Sequence, residues 1–319
     1  MSQRGRWNRW LTIRRHAAGG KTVGRRGANG YLRGGRSAGG GPWMPIVPLR
    51  GIELYYESHG HRGDPTVLVH GSLTDSSGWA RVLPGLARGV SVLAYDRRGY
   101  GRSTPGARPT PVRTDAEDLA ALLEATDFYP VHLVGHSYGA AVALRLASER
   151  PDLVRSLALH EPPYVGLLAD RPATAEFGRT FLAAIDPIAA QVAAGAAAAA
   201  ARTVVDAFSV RPGAWDRLPE AARRTGAAAM DRWVEEYRDG EALRPDPAGL
   251  RETLVPVLLT VGEESPAFLR EISALLAADL PNATLRSIPG TGHTPQLSAP
   301  DPYVGLLLSF LLERNVPQS

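Results

Sequence analysis

The sequence predicts an α/β protein, a mostly parallel sheet with helices on both of its faces. Three observations predict it. Short apolar runs alternate with helical stretches along most of the chain, the rhythm of parallel βαβ units. One run, at 131–134, ends in a serine framed by glycines and passes at once into an Ala-rich helical stretch. A long segment at 163–248 then breaks the rhythm with helical sequence and no convincing strand.

The elements follow in order from Met44. Residues 51–57 (GIELYYE) alternate like an antiparallel edge strand. Residues 66–70 (TVLVH) and 90–95 (VSVLAY) are continuous apolar runs, the signature of strands buried on both faces. Between them 79–87 fits a helix, and 115–126 fits another after a Pro-rich loop. Strand 131–134, helix 140–150 and strand 154–160 come next. The segment 163–248 carries Phe177, Phe181, Phe208, Trp215, Trp233 and Tyr237 and reads as a helical cap laid over one face. Most of those aromatics pack cap on core, and only the ones facing a cavity would touch a ligand. The rhythm resumes with strand 255–261, helix 267–278, strand 283–288 and a closing helix at 302–312. The core is thus 44–162 and 249–319.

Composition narrows the classes. The chain has 319 residues, 44% hydrophobic and 21% charged, within the range of globular proteins. No apolar run approaches the roughly 20 residues of a membrane helix. Cysteine is absent, which excludes disulfides, a thiol nucleophile and thiolate metal sites. The net charge of +4 is misleading, because residues 1–43 hold ten Lys/Arg and no Asp/Glu. The remaining 26 basic against 32 acidic residues give about −6 for the rest of the chain. The Arg- and Gly-rich leader has no periodic apolar pattern and reads as a disordered extension. A nucleic-acid-binding arm is the alternative for it, and salt-sensitive binding is its signature. The expected partner of the folded part is a small molecule, with neither nucleic acid nor membrane, in the cytoplasm.

Gly135-His136-Ser137-Tyr138-Gly139 between a strand and a helix has the context of a nucleophile elbow. A serine at such a turn points its hydroxyl out of the sheet. Side chains two residues before or after it would collide with the neighbouring strand and helix, and glycines remove them. The helix then begins at the serine with its N–H groups and positive dipole end facing the reacting centre. Ser137 needs a base. His293, in Pro289-Gly290-Thr291-Gly292-His293, follows a strand on a glycine-rich loop near the end of the chain. An oxyanion needs donors fixed in advance. The Tyr138 N–H supplies one, and the loop after TVLVH supplies the other, at Ser72.

Four motifs stand in order: His70-Gly71, Asp96-Arg97-Arg98-Gly99-Tyr100-Gly101-Arg102-Ser103, Gly135-His136-Ser137-Tyr138-Gly139 and Gly290-Thr291-Gly292-His293. In this arrangement the chain from Met44 onward resembles the α/β-hydrolase fold superfamily. The resemblance implies an eight-stranded sheet, a helical cap inserted after strand six, and catalysis without a metal or organic cofactor. It also implies a structural turn, with no catalytic role, for the DRRGYGRS block.

The sequence departs from that family at the triad acid. The family's usual Asp, three residues after the glycine ending strand seven, corresponds here to Ser265 in Gly262-Glu263-Glu264-Ser265-Pro266. Two carboxylates can substitute. Glu264 is one residue off, and Glu161 ends strand six, before Pro162-Pro163, where some members carry the acid. Glu161 is favoured, because a carboxylate at a buried strand end needs a partner to offset its desolvation. Ser at the elbow implies acyl chemistry on an ester, lactone or thioester of a small to medium, mainly apolar acyl group. C–C bond hydrolysis, perhydrolysis and acyl transfer use the same residues. A member that binds under its cap without turnover is the non-enzymatic alternative, resting on the missing strand-seven Asp.

Overall fold

A computed structural model describes residues 46–210 and 213–313. The Arg- and Gly-rich leader and the start at Met44 lie outside the described residues.

Eight strands form one sheet: β1 (Ile46–Leu49), β2 (Ile52–His59), β3 (Pro65–Val69), β4 (Ser91–Tyr95), β5 (Val131–His136), β6 (Val154–His160), β7 (Val257–Gly262) and β8 (Ala283–Ile288). Their spatial order is β1-β2-β4-β3-β5-β6-β7-β8. β1 and β2 form an antiparallel pair, β2 is antiparallel to β4, and every later pairing is parallel. β4 and β5 are buried along their whole length, as continuous apolar runs require. β2 is not the edge that its alternation suggested. Residues Ile46–Leu49 pair outside it, from Ile46 opposite Tyr55 to Leu49 opposite Ile52. That strand has four residues including Pro48, a length and a residue tolerated at an edge and hard to read as a strand.

Helices cover both faces. α1 (Leu83–Leu86) and the closing α15 (Pro300–Glu313) pack on one, where Trp79, Val82, Leu86, Tyr303 and Leu307 are buried against Leu68, Val92 and Val134. On the other, α2 (Val112–Thr126), α3 (Tyr138–Glu149) and α13 (Ala267–Asp279) enclose Leu119, Leu123, Val142, Leu146, Leu157, Leu259, Ile272 and Leu276. The helix expected at 79–87 is instead a 3₁₀ turn, Ser76–Trp79, followed by the single turn of α1. Pro84 sits in the first turn of α1, where its missing N–H costs nothing, and it cannot continue a helix coming from Trp79.

Between β6 and β7 run α4 (Gly166–Ala169), α5 (Ala175–Ala183), α6 (Ile185–Ala193), α7 (Ala197–Ala207), α8 (Ala214–Arg217), α9 (Glu220–Ala228), α10 (Met230–Arg238), α11 (Gly240–Leu243) and α12 (Pro247–Glu252). Ile188, Ala200, Val204, Phe208, Trp215, Met230, Trp233 and Tyr237 form their own buried cluster, joined by Leu269 of α13. A short α14 (Pro295–Ser298) precedes α15. Among the described residues, no helix is long and apolar enough to cross a membrane.

Candidate active site

The parallel strands β3, β5, β6, β7 and β8 end at one edge of the sheet, where side chains from separate parts of the chain meet. Ser137 follows β5 and caps α3 with φ 52° and ψ −122°, a conformation that L-residues hold only under strain. The two flanking glycines make that turn possible. A Cβ on Gly139 would lie 2.2 Å from the Val69 carbonyl oxygen, and one on Gly135 would lie 2.6 Å from the Ala140 Cα. The Ser137 N–H donates to the His160 carbonyl at 2.8 Å, tying the turn to the end of β6.

Glu161 follows β6 directly, also in the left-handed region with φ 47°. Its side chain has no solvent exposure. Oε1 accepts the Gly262 N–H at 2.8 Å, and Oε2 accepts Nδ1–H of His293 at 2.6 Å. Burial alone would raise the carboxyl pKa. The adjacent His160 and the bond from His293 outweigh it and bring the pKa down to about 2. Ser265, standing where the usual acid would be, lies beside the same carboxylate and favours its ionised form, though without the alignment of a hydrogen bond. The structure therefore brings Glu161 to His293. Glu264 sits on an exposed turn, its backbone N–H donated to Thr291.

His293 is held from a second side. His136, the residue before the serine, meets the His293 carbonyl through Nε2 at 2.7 Å, and the two rings lie 4.8 Å apart. Burial first, then neighbouring histidines, depress His136 well below the usual range, and burial lowers His160 to about 4, so both are neutral at pH 7. A neutral His136 whose Nε2 faces a carbonyl must carry its proton there and donate. Among the described residues no hydrogen bond joins Ser137 Oγ to His293. Such contacts are often long at rest and tighten with substrate.

Of the aromatics singled out between β6 and β7, Phe208 and Tyr237 reach the site. The Phe208 ring lies 5.1 Å from that of His293, and the Tyr237 phenol lies beside the Ser137 hydroxyl. Trp233 stacks on Tyr237 at 4.4 Å, and Trp215 is buried with them. Phe177 is 45% exposed and lines an apolar cleft of about 580 Å³ with Phe181, Val210 and Phe268. Phe181 and Phe268 also touch Phe208, so Phe208 stands between this cleft and His293.

The turn before Ser72 lies against the elbow, since a Cβ on Gly71 would come 3.1 Å from the Ser137 Cβ, and neither the Ser72 nor the Tyr138 N–H is engaged by a backbone carbonyl among the described residues. Tyr138 opens α3, whose first N–H groups have no intrahelical acceptor. The Ser72 hydroxyl is not a spare donor: it is bonded to Glu236 of α10 at 2.5 Å. Sequence reasoning missed Glu236. A signal existed, because Glu236 falls on the same helical face as Met230, Trp233 and Tyr237, an apolar stripe where a carboxylate is out of place. Among the described residues, one set of ligand-type side chains is spaced for a metal: His160, Glu161 and His293, with ligand atoms within 4.8 Å of one another. Two of the three already form the acid–imidazole pair.

Comparison with known proteins agrees with this architecture. Residues 64–300 match the family described as alpha/beta hydrolase fold. The dihydrolipoyllysine-residue acetyltransferase component of the acetoin cleaving system of Pseudomonas putida is 29% identical over 286 residues, 87% of this chain and 72% of that protein. Lipase LipV of Mycobacterium tuberculosis is 39% identical over 112 residues, 35% of this chain and 42% of the lipase. Among solved structures, Est816, described as an N-acyl homoserine lactone degrading enzyme, superposes with a TM-score of 0.63 at 25% identity, covering 83% of this chain and 100% of its own. Sheet order, elbow and family match together establish that the chain belongs to the alpha/beta hydrolase fold family and is a hydrolase.

Proposed function

We propose that this hydrolase cleaves an ester, lactone or thioester of a small to medium, mainly apolar acyl group through an acyl-enzyme on Ser137. The observation that carries the reading is the 2.6 Å bond from a fully buried, ionised Glu161 to Nδ1 of His293, on a loop anchored to the serine elbow. That bond keeps the proton on Nδ1 and leaves Nε2 free as base. His293 takes the Ser137 proton as the alkoxide attacks the acyl carbon. The oxyanion is held by the Ser72 and Tyr138 N–H groups, and His293 returns the proton to the leaving alcohol or thiol. Water, activated by the same imidazole, then releases the acid.

The apolar lining supports the substrate class. Phe208 and Tyr237 border the reacting groups, and the neighbouring cleft is walled by Phe177, Phe181 and Phe268. The similar lipase and lactone-degrading enzyme fit the same chemistry. Glu161 beside His293 supports turnover over a non-catalytic binder, since the imidazole has a carboxylate partner although Ser265 stands at strand seven.

The test is a fluorophosphonate probe with the adduct mapped by mass spectrometry. A stoichiometric adduct on Ser137, abolished in His293→Ala, is expected. A folded protein that stays unlabelled refutes the reading.

A further inference from the structure

We propose that Glu236, on α10, is a positioning residue for the oxyanion hole, so that the helices between β6 and β7 take part in catalysis as well as covering the site. The inference rests on the serine-hydrolase reading above and concerns how one of its two N–H donors is aimed.

The argument starts from the Gly71–Ser72 peptide. Its N–H is the candidate donor, and in a trans peptide the carbonyl points the opposite way, so whatever grips the carbonyl aims the N–H. Two groups grip it. Arg97 Nη2 donates to the Gly71 oxygen at 3.1 Å, and His70 Nδ1 donates to it at 2.7 Å. The His70 tautomer is settled by its other nitrogen, since Nε2 accepts the Arg97 backbone N–H at 2.9 Å. Burial lowers the His70 pKa to about 3, which keeps this neutral form throughout the ordinary pH range. Arg97 also holds the His70 carbonyl through Nε at 3.0 Å.

Glu236 holds the groups that hold the peptide. Oε1 accepts Arg97 Nη1 and the Tyr100 hydroxyl, both at 2.8 Å, while Oε2 accepts the Ser72 hydroxyl at 2.5 Å. One carboxylate thus fixes the guanidinium behind the peptide and the side chain of the residue whose N–H is presented. The side chains of Glu236 and Arg97 have no solvent exposure, so neither can exchange its partner for water. Asp115 and Arg232 extend the cluster, with Arg232 donating through Nη2 to Asp115 at 3.0 Å and through Nη1 to Glu235 at 2.8 Å. The DRRGYGRS turn, by contributing Arg97 and Tyr100, therefore reaches the site through its carboxylate partner.

The test compares Glu236→Gln and Ser72→Ala, singly and together, with kcat and KM on a p-nitrophenyl ester normalised to the sites that a fluorophosphonate labels on Ser137. Loss of a well-placed oxyanion donor lowers kcat by about 10²–10³, so its misalignment in either single variant is expected to lower kcat by at least about 10-fold. KM should change by less than about threefold, because the N–H acts on charge that develops in the transition state. If Glu236 acts through Ser72, the double variant is no slower than the worse single one. Losses that multiply would overturn the proposal, as would unchanged kcat per labelled site in Glu236→Gln. Arg113→Ala is the control for mere docking, since it breaks an exposed ion pair between Arg113 of α2 and Glu241 of α11 that has no member in this cluster. An equal kcat loss there would also overturn it. Should Glu236→Gln not fold, Ser72→Ala decides, because it keeps the N–H and removes only a half-buried hydroxyl. Absence of labelling in the wild type would sink the hydrolase reading itself, whereas normal wild-type labelling with unaffected variants sinks only this inference.

Discussion

Glu161→Gln is the substitution whose consequence the structure defines most sharply. The two carboxylate oxygens have different partners that are both donors: the Gly262 N–H on Oε1 at 2.8 Å and His293 Nδ1–H on Oε2 at 2.6 Å. An amide has one oxygen and one NH₂. If its oxygen faces His293, its NH₂ meets the Gly262 N–H, donor against donor. If it turns over, the NH₂ faces Nδ1, which must then accept, and the imidazole adopts the tautomer that cannot serve as base at Nε2. Either orientation also removes the charge that stabilises the imidazolium. Loss of the equivalent carboxylate in a serine triad lowers kcat by about 10⁴. A fall of about 10³–10⁴, or roughly 4–5 kcal/mol of transition-state stabilisation, is expected here, with KM little changed. The assay is steady-state hydrolysis of a chromogenic ester, with far-UV circular dichroism to show that the fold is intact. Glu264→Gln, on an exposed turn, should change kcat by less than about threefold. A larger loss in Glu264→Gln than in Glu161→Gln would refute the assignment and move the acid to the turn after β7.

Three further outcomes follow from the same geometry. Gly139→Ala should destabilise the fold by about 1–3 kcal/mol or more and slow Ser137 labelling, because the new Cβ would meet the Val69 and His70 carbonyl oxygens at 2.2 and 2.5 Å; an unchanged melting temperature would contradict this. Phe177→Asp should raise KM for a hexanoyl ester more than for an acetyl ester if the apolar cleft receives the acyl chain, and equal effects on both would exclude that use. Stability should fall on acidification. Burial lowers His70 to about 3, His160 to about 4 and His136 well below its usual value, so the unfolded chain takes up protons below 6.5 that the folded one refuses. Glu161, at about 2 when folded, adds a loss that begins below 4.5. Asp115 opposes this, since burial, despite Arg97 and Arg232, raises it to about 6 and its protonation favours the fold. With several groups against one, the denaturation midpoint should drop between about pH 7 and pH 5, and a midpoint that rises over that interval would be incompatible with these assignments.

Local chemistry made much of this protein legible in the sequence. Strands buried on both faces must be apolar along nearly their whole length, which marked β3, β4 and β5, and the glycines at 135 and 139 are required wherever a serine sits on a strand-to-helix turn. Glu161 could be favoured over Glu264 because a charge at a buried strand end has to have a partner. β1 was missed because pairing, not propensity, makes a strand of four residues with a proline. That Glu161 and not Glu264 reaches His293, with Ser265 beside it, depended on the ends of β6, β7 and β8 meeting at one sheet edge. For Glu236 the sequence held a hint, a carboxylate on the buried face of α10, but not its partners, for the same kind of reason. Nothing local shows that a carboxylate of α10 enters the core to receive Ser72, Arg97 and Tyr100, residues 136 to 164 positions away along the chain. Periodicity and turn chemistry are properties of neighbours in sequence. The partners that hold a buried charge are chosen by which elements the folded sheet and its covering helices bring together, and only the tertiary structure decides that.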